Sequence, residues 1–210
     1  MQIAAEFQAA LPELHSILGL QLCPLSLGRY RLLKRFGCPF VEEENKEVSI
    51  QELTKDLFFS LIICGLSVSE FNYLLRHPKK LAKEARRFGK QAGKFIRKTD
   101  GFSILQSFTQ FRKYLEEGSS SPWVVLTKEN SETSTAHWSN SIAVTLRSKV
   151  GWTDEEINEK PLTEALTDFF KWCESEGMVT LYGHEQWRDL QSEAIANGEA
   201  LAKIMESYGT

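Results

Sequence analysis

The sequence feature that most constrains the fold is the apolar run from Leu57 to Leu66, which reads LFFSLIICGL. It contains no charged residue and is shorter than the about 20 residues that a helix needs to cross a bilayer. A run that is apolar on every side is typical of a helix buried in a core. Ser49 and Glu52 have the spacing of a capping box, and Gly65 is placed to end the helix in the left-handed conformation. The sequence therefore predicts a buried central helix over residues 50–64.

Helical periodicity flanks this run on both sides. From Ile3 to Leu20 apolar residues recur every three or four positions, which predicts one helix with a start or kink at Pro12. The stretches Trp123–Leu126 and Met178–Leu181 are β-prone and could pair with each other. The predicted fold class is mainly α: an irregular multi-helix assembly around the buried central helix, with at most a short two-stranded β-ribbon. The other predicted helices begin after Ser26, after Ser67 or Ser69, at Pro78, at Asp100 or Ser103, at Trp138, after Thr153, at Pro161 and near His184.

Composition divides the chain into two helical units. Residues 118–137 are rich in Gly, Ser, Thr and Glu, which predicts a polar loop or linker. An N-terminal helical domain over residues 1–117 would contain the central helix. A C-terminal helical unit would follow over residues 138–210.

Bulk composition and the cysteines are those of a soluble protein. An apolar content of 42% and a charged content of 25% are ordinary for a globular domain. The N-terminus lacks the basic start of a signal peptide, so a cytoplasmic location is expected. Cys23, Cys38, Cys64 and Cys173 are scattered without a Cys-x-x-Cys pair, and they are predicted to be free thiols.

The formal net charge of −3 hides a strong asymmetry. From Arg76 to Lys98 ten basic residues accompany one acid, Glu84, so this segment carries +9 and the rest of the chain −12. Within the predicted helix 78–98, apolar residues that include Phe88 form one stripe, and basic residues form a second stripe roughly 200° around the helix. The residues predicted to bind a partner are those of the basic stripe: Lys79, Lys83, Arg86, Lys90, Lys94 and Arg97.

The basic stripe has four interpretations: a solvated face, or a surface for nucleic acid, for an anionic membrane or for an acidic protein. Single-stranded nucleic acid favours aromatic side chains among the bases, but Phe88 and Phe95 belong to the apolar stripe. Phosphate contacts alone would not let the helix distinguish base sequences on a duplex. The net charge of −12 on the rest of the chain also repels nucleic acid. We therefore expect the basic stripe to meet an acidic surface, on a protein partner or on the chain's own acidic segments, and we expect no membrane partner. A nucleic-acid-associated protein that uses the helix 78–98 is the alternative.

No motif in the sequence carries catalytic chemistry. The segment Gly89–Phe95 looks superficially like a phosphate-binding loop, but its glycines are one residue too close and Phe95 replaces the Ser or Thr that would hold magnesium. His184 begins a pattern like that of a zinc-protease helix, but Arg188 replaces the second histidine. We expect no catalytic, cofactor-binding or metal-binding residues and a protein that is not an enzyme. The weaker alternative is an active site that only the fold assembles.

Two segments resemble a known family. Leu25–Phe40 resembles the opening of small phage and prophage tail-region proteins. Gly151–Ile157, continued by Pro161–Leu166, is similar to tail assembly chaperones and neighbouring tail accessory proteins, in which a short helix start precedes a second helix. Together the segments cover under a quarter of the chain. The resemblance implies a small, helical, cytosolic binding or assembly protein that binds a phage tail component, for example by shielding the tape-measure protein before the tail tube forms. The basic stripe is not characteristic of that family.

Overall fold

The structure is a computed structural model, and it describes residues 15–41, 49–98, 103–126, 137–183 and 186–195. The described part is mainly α-helical, which confirms the predicted fold class. β1 (Ser16–Ile17) and β2 (Leu20–Gln21) form an antiparallel hairpin, and β3 (Trp123–Leu126) pairs antiparallel with the distant strand β4 (Val179–Tyr182). The helices are α1 (Leu27–Arg35), α2 (Ile50–Cys64), α3 (Val68–Leu75), α4 (Pro78–Lys98), α5 (Ser103–Gly118), α6 (Trp138–Thr145, continued by a π-helical turn over Leu146–Val150), α7 (Asp154–Glu159) and α8 (Leu162–Ser175), and residues 186–195 are also helical.

The predicted central helix is confirmed as α2. The Ser49 hydroxyl accepts from the Glu52 backbone N–H, the Glu52 carboxylate accepts from Ser49 in return, and the end of the helix is buried. The prediction for Gly65 is wrong, because its φ of −84° is right-handed. Space explains this glycine instead: a Cβ here would lie 2.9 Å from the Leu61 carbonyl oxygen and 3.4 Å from the ring of Phe88.

None of the described helices is both long and apolar enough to cross a membrane on its own. α2 and α3 reach the required length and composition only as a pair, and the chain bends by 118° between them.

The predicted helix from Ile3 to Leu20 is wrong in its described part, where residues 16–21 form the β1–β2 hairpin. Leu18 and Gly19 have φ of 52° and 72°, the positive values at both central positions that a tight type I′ turn requires. Leu18 is 2% exposed, so burial of its side chain offsets the cost of that backbone conformation. The rest of the predicted helix, including Pro12, lies outside the described residues.

The β-ribbon expected between the two β-prone stretches is confirmed by the pairing of β3 with β4. Trp123 pairs with Tyr182 and Leu126 with Val179, so every residue of the four-residue strands has a partner. β3 lies within the segment 118–137, so this part of the predicted loop is ordered sheet. Residues 127–136 lie outside the described part.

One buried apolar cluster contains residues from both predicted units, among them Leu33 and Leu61 from the first and Leu146 and Leu162 from the second. The units also meet through the backbone, since the Leu162 N–H donates to the Leu25 carbonyl oxygen at 2.7 Å. The boundary at residues 118–137 stays a prediction.

A network of charged and polar groups, the α1–α7 junction, holds α1 against α7. The junction consists of Ser26, Arg29, Asn158 and Glu159. Arg29 is 3% exposed, and its guanidinium donates to Glu159 Oε2 at 2.8 Å, to the Leu66 carbonyl oxygen at 3.1 Å and to the Pro24 carbonyl oxygen at 3.2 Å. The Ser26 hydroxyl donates to the carbonyl oxygen of Asn158.

The other carboxylate oxygen of Glu159 accepts the backbone N–H of Val68 at 2.7 Å and of Ser69 at 3.3 Å. These are donors in the first turn of α3, which have no partner inside the helix and which favour a negative charge. The junction therefore also fixes the start of α3, the helix that leads directly into α4.

The four cysteines are free thiols, as predicted. Burial raises the pKa of the Cys64 thiol to about 12, so this thiol stays protonated at neutral pH. Burial also raises the pKa of Cys38, whose sulfur lies 3.1 Å from the Ser60 hydroxyl. Protonated thiols are poor nucleophiles and poor metal ligands, so both behave as core residues.

Candidate interaction surface

The long helix α4 is positioned by the turn that precedes it. Pro78 occupies its first position, where the missing N–H costs no helical hydrogen bond, as the sequence predicted. The ring of His77 stacks against Tyr73 at a centroid distance of 4.2 Å, and His77 Nδ1 lies 2.8 Å from the Tyr73 carbonyl oxygen. These contacts fix the direction in which α4 leaves α3.

One side of α4 attaches it to the rest of the protein. Phe88 is buried beside Gly65 at the end of α2, and Leu81 is half-buried. The side-chain amide of Gln91 donates to the carbonyl oxygen of Gly19 in the first hairpin at 2.7 Å. Ala85, which also belongs to the predicted apolar stripe, is exposed. The attachment of the described part is therefore narrow and centred on Phe88.

The opposite side of α4 carries the predicted basic stripe, called the basic face below. All six of its side chains, from Lys79 to Arg97, are exposed, as expected for the stripe. Their spacing of four, three, four, four and three residues places them within a sector of about 80° around the helix, over a length of about 27 Å. The structure thus brings the whole predicted set together on one surface.

The basic face has no acidic partner within the described residues. None of the six cations lies within 4.0 Å of a carboxylate there, whereas Arg87, beside the face, pairs with Glu84 at 3.3 Å. Lys80, also beside the face, lies over the ring of Tyr73 at 4.7 Å from its centroid and donates to its hydroxyl.

Several acids elsewhere are paired locally. Lys160 lies 3.2 Å from Glu156 and 3.3 Å from Glu164, and Arg147 pairs with Asp154. Asp154, Glu156 and Glu164 thus pair with their own neighbours and not with α4. In the part of the chain that the structure describes, pairing with the chain's own acidic segments therefore does not account for the basic face.

An open groove of about 830 Å³ runs along the basic face. The described residues that line it all belong to α4: Lys79, Ala82, Lys83, Arg86, Arg87, Lys90, Gln91 and Lys94. Beside it, a Cβ added to Gly89 or Gly93 would meet no atom of the described residues within 4 Å. Both glycines lie inside α4, which agrees with the rejection of a phosphate-binding loop there.

Sequence reasoning missed one aromatic residue near this surface. Tyr73 is 47% exposed and lies on α3, so it falls outside the periodicity of α4 that was used to search for aromatics. Its ring contacts His77 and Lys80, which occupy it within the protein. Phe88 is buried, as its place in the apolar stripe predicted.

Among the described residues, no group of three or more His, Cys, Asp and Glu side chains is arranged to hold a metal ion. His184, the start of the zinc-protease-like pattern, lies outside them. No protein-family model matches the chain, and comparisons with curated proteins and with solved structures found no significant match.

Proposed function

We propose that this chain is a non-enzymatic binding protein whose basic face holds the acidic surface of a protein partner. The observation that carries the proposal is a row of six exposed cations without an acidic partner in the described structure. Like charges held about 5 Å apart repel one another, and opposite charges from a partner would remove that repulsion. Such a row also attracts an acidic partner before contact, within a Debye length of about 8 Å at physiological salt.

Nucleic acid is the alternative partner, and two observations disfavour it. The chain outside residues 76–98 carries −12, which repels any polyanion but repels nucleic acid, with one negative charge per phosphate, more strongly than a short acidic protein surface. The exposed aromatic ring that the structure places beside this face, Tyr73, already contacts His77 and Lys80, which compete with a base for stacking on it.

The narrower role in phage tail assembly is supported by the family resemblance of two segments. In the structure these segments pack against each other, since the Leu162 N–H donates to the Leu25 carbonyl oxygen at 2.7 Å and Ser26 forms an isolated β-bridge with Pro161. Neighbouring genes that encode tail-tube and tape-measure proteins would support this role, and neighbouring genes that encode metabolic enzymes would exclude it.

The proposal is tested by titrating fluorescent duplex DNA, single-stranded DNA and RNA, and separately polyglutamate, with the protein at physiological salt. We expect the wild type to bind polyglutamate and to show no measurable affinity for the nucleic acids. The variant Lys83→Glu, Arg86→Glu, Lys90→Glu should lose polyglutamate binding. A control with the same charge change at exposed sites elsewhere, Lys55→Glu, Arg112→Glu, Lys149→Glu, should retain most of it.

Micromolar binding of nucleic acid by the wild type, abolished in the first variant and kept in the control, would replace the proposal by the nucleic-acid alternative. For duplex DNA the logarithm of the affinity would then fall with the logarithm of the salt concentration, with a slope of about −0.9 per phosphate neutralised. Equal loss of polyglutamate binding in both variants would show that net charge, and not the basic face, is responsible.

A further inference from the structure

We infer that the part of the partner that binds the basic face is an acidic α-helix lying along α4. The inference rests on the proposed function, since it assigns a shape to the acidic partner of the same surface. It is drawn from the order and spacing of the cations, which contain more information than their number.

The cations follow the repeat of an α-helix and not that of an extended chain. From Lys79 to Arg97 the intervals are four, three, four, four and three residues, so neighbouring charges are about 4.5 or 6 Å apart along the axis. A second α-helix with acids at the same intervals presents its carboxylates with the same spacing. Six acids can therefore face six cations over the full length of about 27 Å.

An extended peptide fits the row less well. Its side chains point to the same side at every second residue, about 6.6 Å apart, whereas the cations are on average about 5.4 Å apart. Over five intervals the two rows drift apart by about one full spacing. An extended acidic chain would thus match the row only where the flexible Lys and Arg stems swing along the axis to follow it, whereas a helix keeps the same spacing throughout.

One flank of the row is open within the described structure. Gly89 and Gly93, on this flank of the basic face, present no side chain, and no described atom lies within 4 Å of a Cβ added to either. The Lys and Arg stems on the other flank are long enough to lie against a neighbouring helix while their charged ends reach its acids. Phe88, the core contact, is on the opposite side of α4, so a helix that docks on the face does not displace it.

Three synthetic peptides of equal length and charge test the inference. The row peptide has an Ala and Gln background with six Glu at intervals of four, three, four, four and three residues. The dispersed peptide has the same composition with the six Glu spread evenly around the helix. The extended peptide alternates its Glu with Pro, which excludes the helix.

We expect the row peptide to bind the full-length wild type at least ten times more tightly than either other peptide, at the same salt concentration. Its helix content, followed by circular dichroism, should rise on binding. The variant Lys83→Glu, Arg86→Glu, Lys90→Glu should abolish this preference, and the control Lys55→Glu, Arg112→Glu, Lys149→Glu should keep it.

Two failures are distinguishable. If all three peptides bind equally and the variant Lys83→Glu, Arg86→Glu, Lys90→Glu binds none of them, the face recognises charge alone. The inference is then wrong and the proposed function stands. If no acidic peptide binds while DNA does, the proposed function fails and the inference fails with it.

Discussion

The α1–α7 junction and the basic face show two opposite treatments of positive charge. Arg29 is almost completely buried, and its guanidinium has a carboxylate and two backbone carbonyl oxygens as acceptors. The six cations of the basic face are exposed and have no carboxylate nearby among the described residues. A buried charge must be paired, because its desolvation would otherwise destabilise the fold. A row of unpaired charges on the surface contributes little to folding, which leaves it available for a partner.

The largest change in the free energy of unfolding is expected at the α1–α7 junction. Arg29→Ala should lower the free energy of unfolding by about 3–5 kcal/mol, because it leaves Glu159 and two carbonyl oxygens without their donor. Chemical denaturation monitored by circular dichroism measures it. The control is Arg31→Ala, an exposed residue on the same helix that bonds Asn140 at the surface, for which we expect less than about 1 kcal/mol. Equal effects of the two substitutions would contradict the contrast between buried and exposed charge.

The central helix should be nearly as sensitive. Ile63 is 1% exposed, so Ile63→Ala should cost about 2–5 kcal/mol through lost burial and a cavity. Ile50 in the same helix is 68% exposed, and Ile50→Ala should change the stability by less than about 0.5 kcal/mol. An unchanged denaturation midpoint in Ile63→Ala would show that α2 is not the element on which the core depends.

Two substitutions beside the basic face are expected to stabilise the protein by a smaller amount. Gly89→Ala and Gly93→Ala should each raise the free energy of unfolding by about 0.5–1 kcal/mol, because Ala favours the helix and the added Cβ lies more than 4 Å from every described atom. Gly65→Ala is the control, since the Cβ there is crowded by Leu61 and Phe88 and should destabilise the protein. A loss of stability in the two α4 variants would show that the flank of the face is already covered in the folded protein.

The basic face itself should barely affect folding. Each of the substitutions Lys83→Glu, Arg86→Glu and Lys90→Glu should change the free energy of unfolding by no more than about 0.5 kcal/mol. Thermal denaturation of the single and triple variants measures this. A destabilisation of the triple variant comparable with that of Arg29→Ala would show that the cations stabilise the fold through partners within the protein.

The smallest expected effect is a change in the pKa of Glu70, which lies at the N-terminal cap of α3. Hydrogen bonds from the backbone and hydroxyl of Ser67 lower the pKa of Glu70 below its usual value of 4.5. A carboxylate with a lowered pKa in the folded state stabilises the protein above the unfolded pKa, and this contribution is lost as the pH falls through the folded pKa. NMR titration should find the pKa of Glu70 below the usual range, and Ser67→Ala should raise it part of the way, because alanine removes the hydroxyl bond and keeps the backbone N–H bond. An unchanged pKa in Ser67→Ala would show that the hydroxyl does not contribute.

Local features of the fold could be predicted from the sequence, and non-local ones could not. The capping box of Ser49 and Glu52 and the helix after Ser67 depend on neighbours in the chain, so their patterns were sufficient. The Leu18–Gly19 turn was missed because the flanking leucines also match a helical repeat. Arg29 and Glu159 are 130 residues apart, and neither has a local pattern that indicates the other.

The basic face was predictable in full because it lies on one helix, where spacing alone decides which side chains share a side. Tyr73 was not, since only the turn between α3 and α4 brings it to Lys80. Whether the cations are paired could not be predicted from the sequence, because their pairing with acids elsewhere depends on the packing of α7 and α8.

The central claim, that the basic face is a surface for an acidic helix and not a support of the fold, is tested most directly by exchanging the charges. All six cations of the face are replaced by Glu, and the folded variant is titrated with the acidic row peptide and with a peptide that carries six Lys at the same positions. The account predicts that the variant loses the acidic peptide and binds the basic one at least ten times more tightly than the wild type does. A variant that is folded as stably as the wild type and binds neither peptide would contradict it.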